Sequence, residues 1–203
     1  MCNLYSMTAT VDELRRIFGP FEGDTSNLPP FDEIYPGYQA PVLRRTVDGG
    51  LKLEMMKWGF PGPVSAGSRP VTNVRNLASP FWRNALNDPQ RRCIVPATSF
   101  CEWSAEPDPA TKRKSKIWFG MGEEHSPLFA FAGLWRPGAR DSAEGPFMAF
   151  LTCDANATVG AVHPKAMPVM LRPADAERWL DSERADACAL ARPFEDTAMR
   201  RVS

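Results

Sequence analysis

Arg91-Arg92-Cys93-Ile94-Val95-Pro96-Ala97-Thr98-Ser99-Phe100-Cys101-Glu102-Trp103 is the stretch on which the fold turns. Residues 92–96 and 99–103 are short runs rich in Ile, Val, Phe and Trp, bounded by an arginine pair and a proline, and they read as strands. Residues 116–121, 128–135 and 147–153 repeat that character further along. Upstream, 41–45 and 51–58 flank Val47-Asp48-Gly49-Gly50, a hairpin signal in which glycine supplies positive φ at the turn.

Helical patterns are fewer. Thr10-Val11-Asp12-Glu13 reads as a capping box, with Leu14, Ile17 and Phe18 on one face and Gly19-Pro20 as the stop. Further helices are expected over 80–86, over 174–180 after Arg172-Pro173, and over 182–190. The chain start, 2–5, is left as a short extended segment with Leu4 a candidate for burial. Many short strands with a few peripheral helices predict an α+β fold, one domain over 1–203 built on antiparallel, barrel-like β-sheets. The Pro/Gly-rich stretches near 61–70 and 106–110 are too short to serve as linkers, and the polar, aperiodic 195–203 reads as a frayed tail.

With 43% hydrophobic residues in 203, the chain can bury one substantial core. Its 24 basic and 24 acidic residues give a net charge of +0, which argues against coating nucleic acid by bulk charge. Local basic clusters remain: Lys112, Arg113, Lys114 and Lys116; Arg91 and Arg92; and Arg69, Arg75 and Arg83. The five cysteines, Cys2, Cys93, Cys101, Cys153 and Cys188, form no Cys-x-x-Cys motif, so a disulfide framework and a thiolate metal site are both disfavoured. Met1-Cys2-Asn3-Leu4-Tyr5 lacks the charged and apolar regions of a secretory signal, and no run of about 18 apolar residues occurs. The reading is a cytoplasmic protein with reduced thiols.

Cys2 stands out chemically. Removal of Met1 would leave an α-amine and a thiol on adjacent carbons, and an α-amine, with a reference pKa near ~7.7–8.0, is partly neutral in the cell and can attack an aldehyde. Sulfur could then close a five-membered thiazolidine, an intramolecular step favoured by effective molarity.

Four further blocks stand in order behind it: Thr72-Asn73-Val74-Arg75-Asn76, Arg91 to Pro96, Phe100-Cys101-Glu102-Trp103, and His163-Pro164-Lys165-Ala166-Met167-Pro168. Trp58-Gly59-Phe60, Gly133-Leu134-Trp135, and Thr152 with Asn156 accompany them. Together these blocks resemble the SOS response-associated peptidase (SRAP) family, with the likeness strongest over 2–171.

That resemblance implies a protein that binds single-stranded DNA containing abasic sites and forms a thiazolidine crosslink through Cys2. It implies no cofactor and no metal, and we expect a monomer without membrane association. Removal of its own initiator methionine and β-elimination at abasic sites are also implied. By position, Cys2 is the nucleophile, Asn73 orients the amine or sugar, Glu102 is the acid/base, and His163 assists sugar opening and proton movement. Sugar opening, dehydration and ring closure all need proton transfers, to which a carboxylate and an imidazole are suited. Arg75, Arg83, Arg91 and Lys165 are the expected phosphate contacts, and Trp58 and Phe60 with Pro61 and the loop after it the expected stacking platform.

Two departures from the family pattern are visible. Asn3-Leu4 stands where the family carries Gly-Arg, and the segment from His163 to Met167 is one residue longer than usual. From the residues alone, other readings stay open. Glu102 could alternate out to solvent on its strand, His163 rather than His125 is the better site candidate, and Asn73 could be a turn former. An amidohydrolase with a freed Cys2, or a silent single-strand-binding module, are the rival functions.

Overall fold

The computed structural model describes residues 2–25, 28–62, 69–122, 128–138 and 144–202. His125 and loop residues 63–68 therefore lie outside the described residues.

The N-terminal half runs β1 (Tyr5–Met7), α1 (Val11–Phe18), β2 (Phe31–Ile34), β3 (Gln39–Arg45), β4 (Leu51–Trp58), β5 (Asn73–Val74) and α2 (Pro80–Asn87). After it come β6 (Arg92–Ala97), β7 (Ser99–Pro107), β8 (Lys114–Met121), β9 (Phe129–Arg136) and β10 (Phe147–Cys153). The chain closes with α3 (Ala157–Gly160), β11 (Met167–Pro168), β12 (Met170–Leu171), α4 (Pro173–Asp181), α5 (Arg184–Cys188) and β13 (Met199–Val202).

Local chemistry explains the first elements. Thr10 accepts from the Glu13 amide while the Glu13 carboxylate accepts from the Thr10 amide, a reciprocal cap that starts α1, and Gly19 ends it at φ 87°. Gly49, also at φ 87°, turns the β3–β4 hairpin.

One sheet closes on itself through β10, β4, β3, β6, β9 and back to β10, with β5, β11 and β12 attached. The expected barrel is thus present, and its pairs are antiparallel except where β10 runs parallel to β4 and β5. The second sheet, in the order β13, β8, β7, β1, β2, is antiparallel throughout. Tyr5, Trp58, Phe131 and Phe150 pack in edge and stacked pairs where the sheets meet.

The C-terminal stretch is not a frayed tail. After a single 3₁₀ turn at Asp196–Ala198, β13 pairs with β8 from Met199↔Met121 to Val202↔Trp118. Composition missed this because the stabilising hydrogen bonds go to a strand remote in sequence, and an edge strand needs few apolar side chains of its own.

Arg92, read from the sequence as part of a local basic cluster with Arg91, is instead 1% exposed and belongs to the interior. Its guanidinium donates to the carbonyls of Leu86 (2.9 Å), Trp179 (3.2 Å) and Ser182 (2.5 Å), tying α2 and α4 to the barrel. Arg92→Met would leave those carbonyls without the charged donor and is expected to cost about 2–3 kcal/mol, read as a lower thermal midpoint. No helix of the described residues is long and apolar enough to cross a membrane.

Candidate functional site

The chain start is zipped onto β7. The Cys101 amide donates to Leu4 O at 2.9 Å and the Thr98 amide to Ser6 O at 2.8 Å, while Tyr5 registers with Phe100. Trp103 Nε1 adds a bond to Asn3 Oδ1 at 3.2 Å. Leu4 is fully buried, as its apolar character predicts, and so is Cys2. The Cys2 thiol donates to Leu4 O at 3.5 Å, and burial, followed by the nearby negative charge of Glu102, pushes it far above the ordinary thiol range.

Glu102 sits two residues beyond Phe100 and so shares its inward face of β7. It is only 2% exposed, which removes the solvent-facing alternative. Burial pushes its carboxyl up to about 7, against which the positive charge at the chain's amino end works. Its Oε1 is buried without a hydrogen-bond partner among the described residues.

Asn73 is held by the barrel rather than by a turn. It pairs with Phe150 across β5 and β10, and Trp58 stacks on Phe150 at 4.9 Å while donating Nε1 to Thr72 O at 3.0 Å. Asn73 Nδ2 then donates to Cys2 O at 3.1 Å, and Asn73 Oδ1 is a second buried acceptor without a hydrogen-bond partner among the described residues.

His163 arrives from the one-turn helix α3. Asn156 caps that turn by accepting from the Val159 amide at 2.9 Å, and the Val159 carbonyl accepts from the His163 amide at 2.8 Å. His163 Nδ1 stands 3.9 Å from Glu102 Oε2. Burial is the first cause of a lowered imidazole pKa, helped by positive charge from the chain's amino end, Lys165 and Lys114. The extra residue before Met167 therefore does not carry the imidazole away from the carboxyl group.

Cys2, Asn73, Glu102 and His163, spread over 162 positions of sequence, thus gather around one buried chain start. At neutral pH they offer a largely neutral imidazole beside a carboxyl group near its own midpoint, with two buried acceptors that have no hydrogen-bond partner among the described residues. Such a pair can hand a proton either way, which is what reversible addition to a carbonyl demands.

The expected DNA contacts divide. Lys165 is exposed and bears on His163, and Lys114, which the sequence did not single out from its cluster, does the same. Arg75 is partly exposed and pairs with Asp154 at 2.5 Å. Arg83 lies on the outer face of α2, whereas Arg91 lies over the Trp135 ring at 5.2 Å.

Trp58 and Phe60 are corrected: they are 0% and 4% exposed and form core, because each ring packs against other aromatics and gains more from burial than from solvent. Phe81, 39% exposed at the start of α2 and in contact with Phe60 and Trp82, is the aromatic this corner presents. Tyr5, whose buried hydroxyl lacks a hydrogen-bond partner among the described residues, and Asp196, which touches the His163 turn, were also missed. Only Tyr5 had a sequence signal, its place three residues after Cys2.

A family model described as SOS response associated peptidase (SRAP) matches residues 1–203. Among relatives, the abasic site processing protein YobE of Bacillus subtilis is 28% identical over 200 residues, covering 92% of this chain and 84% of the relative. YoqW of the same organism, described in the same words, is 27% identical over 198 residues, covering 92% and 83%. A crystal structure from Bacteroides thetaiotaomicron superposes with a TM-score of 0.79 at 22% identity, over 98% of this chain and 90% of that one. A phage-related protein from Bordetella bronchiseptica gives 0.76 at 22% identity, over 99% and 93%.

Proposed function

The chain belongs to the SOS response associated peptidase (SRAP) family, and on that premise we propose that it captures abasic sites in single-stranded DNA through Cys2. The observation that carries the reading is the Glu102–His163 pair set beside a chain start whose Cys2 carbonyl is held by Asn73. The names of the relatives, abasic site processing proteins, point to the same substrate.

The chemistry follows from the protonation states. Removal of Met1 frees the Cys2 amine, which adds to the aldehyde of the ring-opened sugar to give a carbinolamine. Proton transfer from the protonated Glu102 carboxyl to the departing hydroxyl releases water and leaves an imine, with the neutral His163 imidazole as the neighbouring base. Because burial keeps the Cys2 sulfur protonated, the amine is the first nucleophile, and sulfur adds second. As the carbon–sulfur bond forms, the thiol proton is taken up by a neighbouring base, which returns it to the imine nitrogen, so that nitrogen ends as a secondary amine. One water is lost overall and the product is a thiazolidine.

Glu102, with its carboxyl near neutrality, suits both donation and acceptance along this path. We extend the reading to β-elimination from the imine and to removal of Met1 by the same acid–base pair. Lys114, Lys165 and Arg75 supply cationic surface for the DNA backbone, Phe81 is an exposed aromatic for a base to stack on, and the protein acts as a cytoplasmic monomer.

The test uses the full chain with Met1 loss verified by intact mass. Single-stranded DNA carrying an abasic site is expected to yield a heat-stable adduct on a denaturing gel, with a mass equal to protein plus DNA minus one water. Intact single strands and abasic duplexes are expected to give little. No adduct from protein with a free Cys2 would overturn the reading, and hydrolysis of small amides in its place would favour the amidohydrolase.

A further inference from the structure

We infer that the C-terminal segment sets the distance between His163 and Glu102, with Asp196 as the positioning residue. The helical turn that delivers His163, α3, spans only Ala157–Gly160, far below the length at which a helix persists on its own. Its free amides must be satisfied from outside. Asn156 takes the Val159 amide, and Asp196 takes the other two: Oδ1 accepts from Thr158 N at 2.7 Å and Oδ2 from Ala157 N at 3.3 Å.

Asp196 is itself anchored. The 3₁₀ turn Asp196–Ala198 leads directly into β13, which pairs with β8 along four positions. Asn156 reaches the same segment, donating Nδ2 to Phe194 O at 2.9 Å and to Met199 Sδ at 3.0 Å. On the other side of β8 lies β7, where Glu102 registers with Ile117. One stretch of chain therefore braces the strand beside Glu102 and caps the turn ahead of His163.

Loss of the Asp196 carboxylate would leave two backbone amides to water and free the turn to fray. The Val159 carbonyl that receives the His163 amide would move with it. Asp196 does not touch the acid–base pair, so its effect passes through His163. The catalytic consequence rests on the abasic-capture reading, whereas the geometric one stands without it.

The chain has only two histidines, so imidazole NMR of the full-length protein can follow His163, assigned with His163→Ala. In Asp196→Ala the His163 resonances are expected to shift and its lowered titration midpoint to rise toward the ordinary histidine value as burial is lost. Asp196→Asn, which keeps an acceptor for Thr158, is expected to give a smaller change in the same direction and serves if the alanine variant does not fold. In the adduct assay at saturating DNA, Asp196→Ala is expected to slow capture about tenfold or more with the half-saturating DNA concentration unchanged. In a His163→Ala background it should add no further slowing.

Unchanged His163 signals in folded Asp196 variants would overturn the inference. So would an equal slowing by Asp196→Ala with and without His163. If wild-type protein forms no adduct, the capture reading fails while the NMR comparison still decides the role of Asp196.

Discussion

Cys2→Ala is expected to eliminate the heat-stable DNA adduct while leaving plain single-strand binding within about twofold, because the substitution removes a small buried atom and no charge. The variant also separates the two bond-forming steps. Alanine at position 2 still permits removal of Met1, so the α-amine remains and the imine can form, but no sulfur is present to trap it. The adduct should therefore disappear under ordinary denaturation and return when borohydride reduces the imine. A heat-stable adduct without reductant in Cys2→Ala would mean that another residue carries the crosslink, and the proposed role of the chain start would be lost.

Glu102→Gln is expected to slow adduct formation by about 10²–10⁴-fold, the usual range for losing a general acid or base. The same change should make the protein more stable in mild alkali. In the folded chain burial raises the carboxyl to about 7, whereas in the unfolded chain it titrates near the ordinary glutamate value of 4.5. The stabilising contribution of the protonated form is thus complete below about pH 4.5 and is lost as pH rises through about 7. A shift of that size corresponds to about 3 kcal/mol once both states are ionised. Glutamine has no charge to bury, so Glu102→Gln should melt about 5–10 °C above wild type at pH 8 and close to it at pH 5. A mutant no more stable than wild type at pH 8 would show that the carboxylate is well accommodated where it lies. The two outcomes together would mark a site kept at a cost in stability, as expected where a titratable group must be held away from water.

Much of the fold was legible because it depends on local rules. The Thr10–Glu13 cap, the Gly19 stop and the hairpin around Gly49 follow from residues within a few positions of one another. Strands 92–97, 99–107 and 147–153 were visible in their β-branched and aromatic runs. Their ends were less so: β7 continues from Trp103 to Pro107 because β8 offers a partner there, and pairing across a sheet leaves no mark in the strand's own composition.

Aromatic residues were the least readable. Trp58 and Phe81 look alike in sequence, yet one is sealed against Phe150 and the other stands 39% exposed. Arg91 and Arg92 are adjacent in the chain, but Arg91 ends a 3₁₀ turn near the surface while Arg92 opens β6 and reaches three carbonyls of the helices behind it. Asp196 carried no signal at all, since its partners, the Ala157 and Thr158 amides, are main-chain groups that every residue but proline possesses.

Residue order alone determined that this is a strand-rich α+β chain in the SRAP lineage with a cysteine at its second position, because spacing, turn chemistry and side-chain type are local properties. Tertiary structure decided that Glu102 faces inward, that its carboxyl sits near neutrality beside His163, and that the last residues form a brace. Burial and proximity are set by segments brought together from opposite ends of the chain, and the dielectric around a charged group exists only once those segments have met.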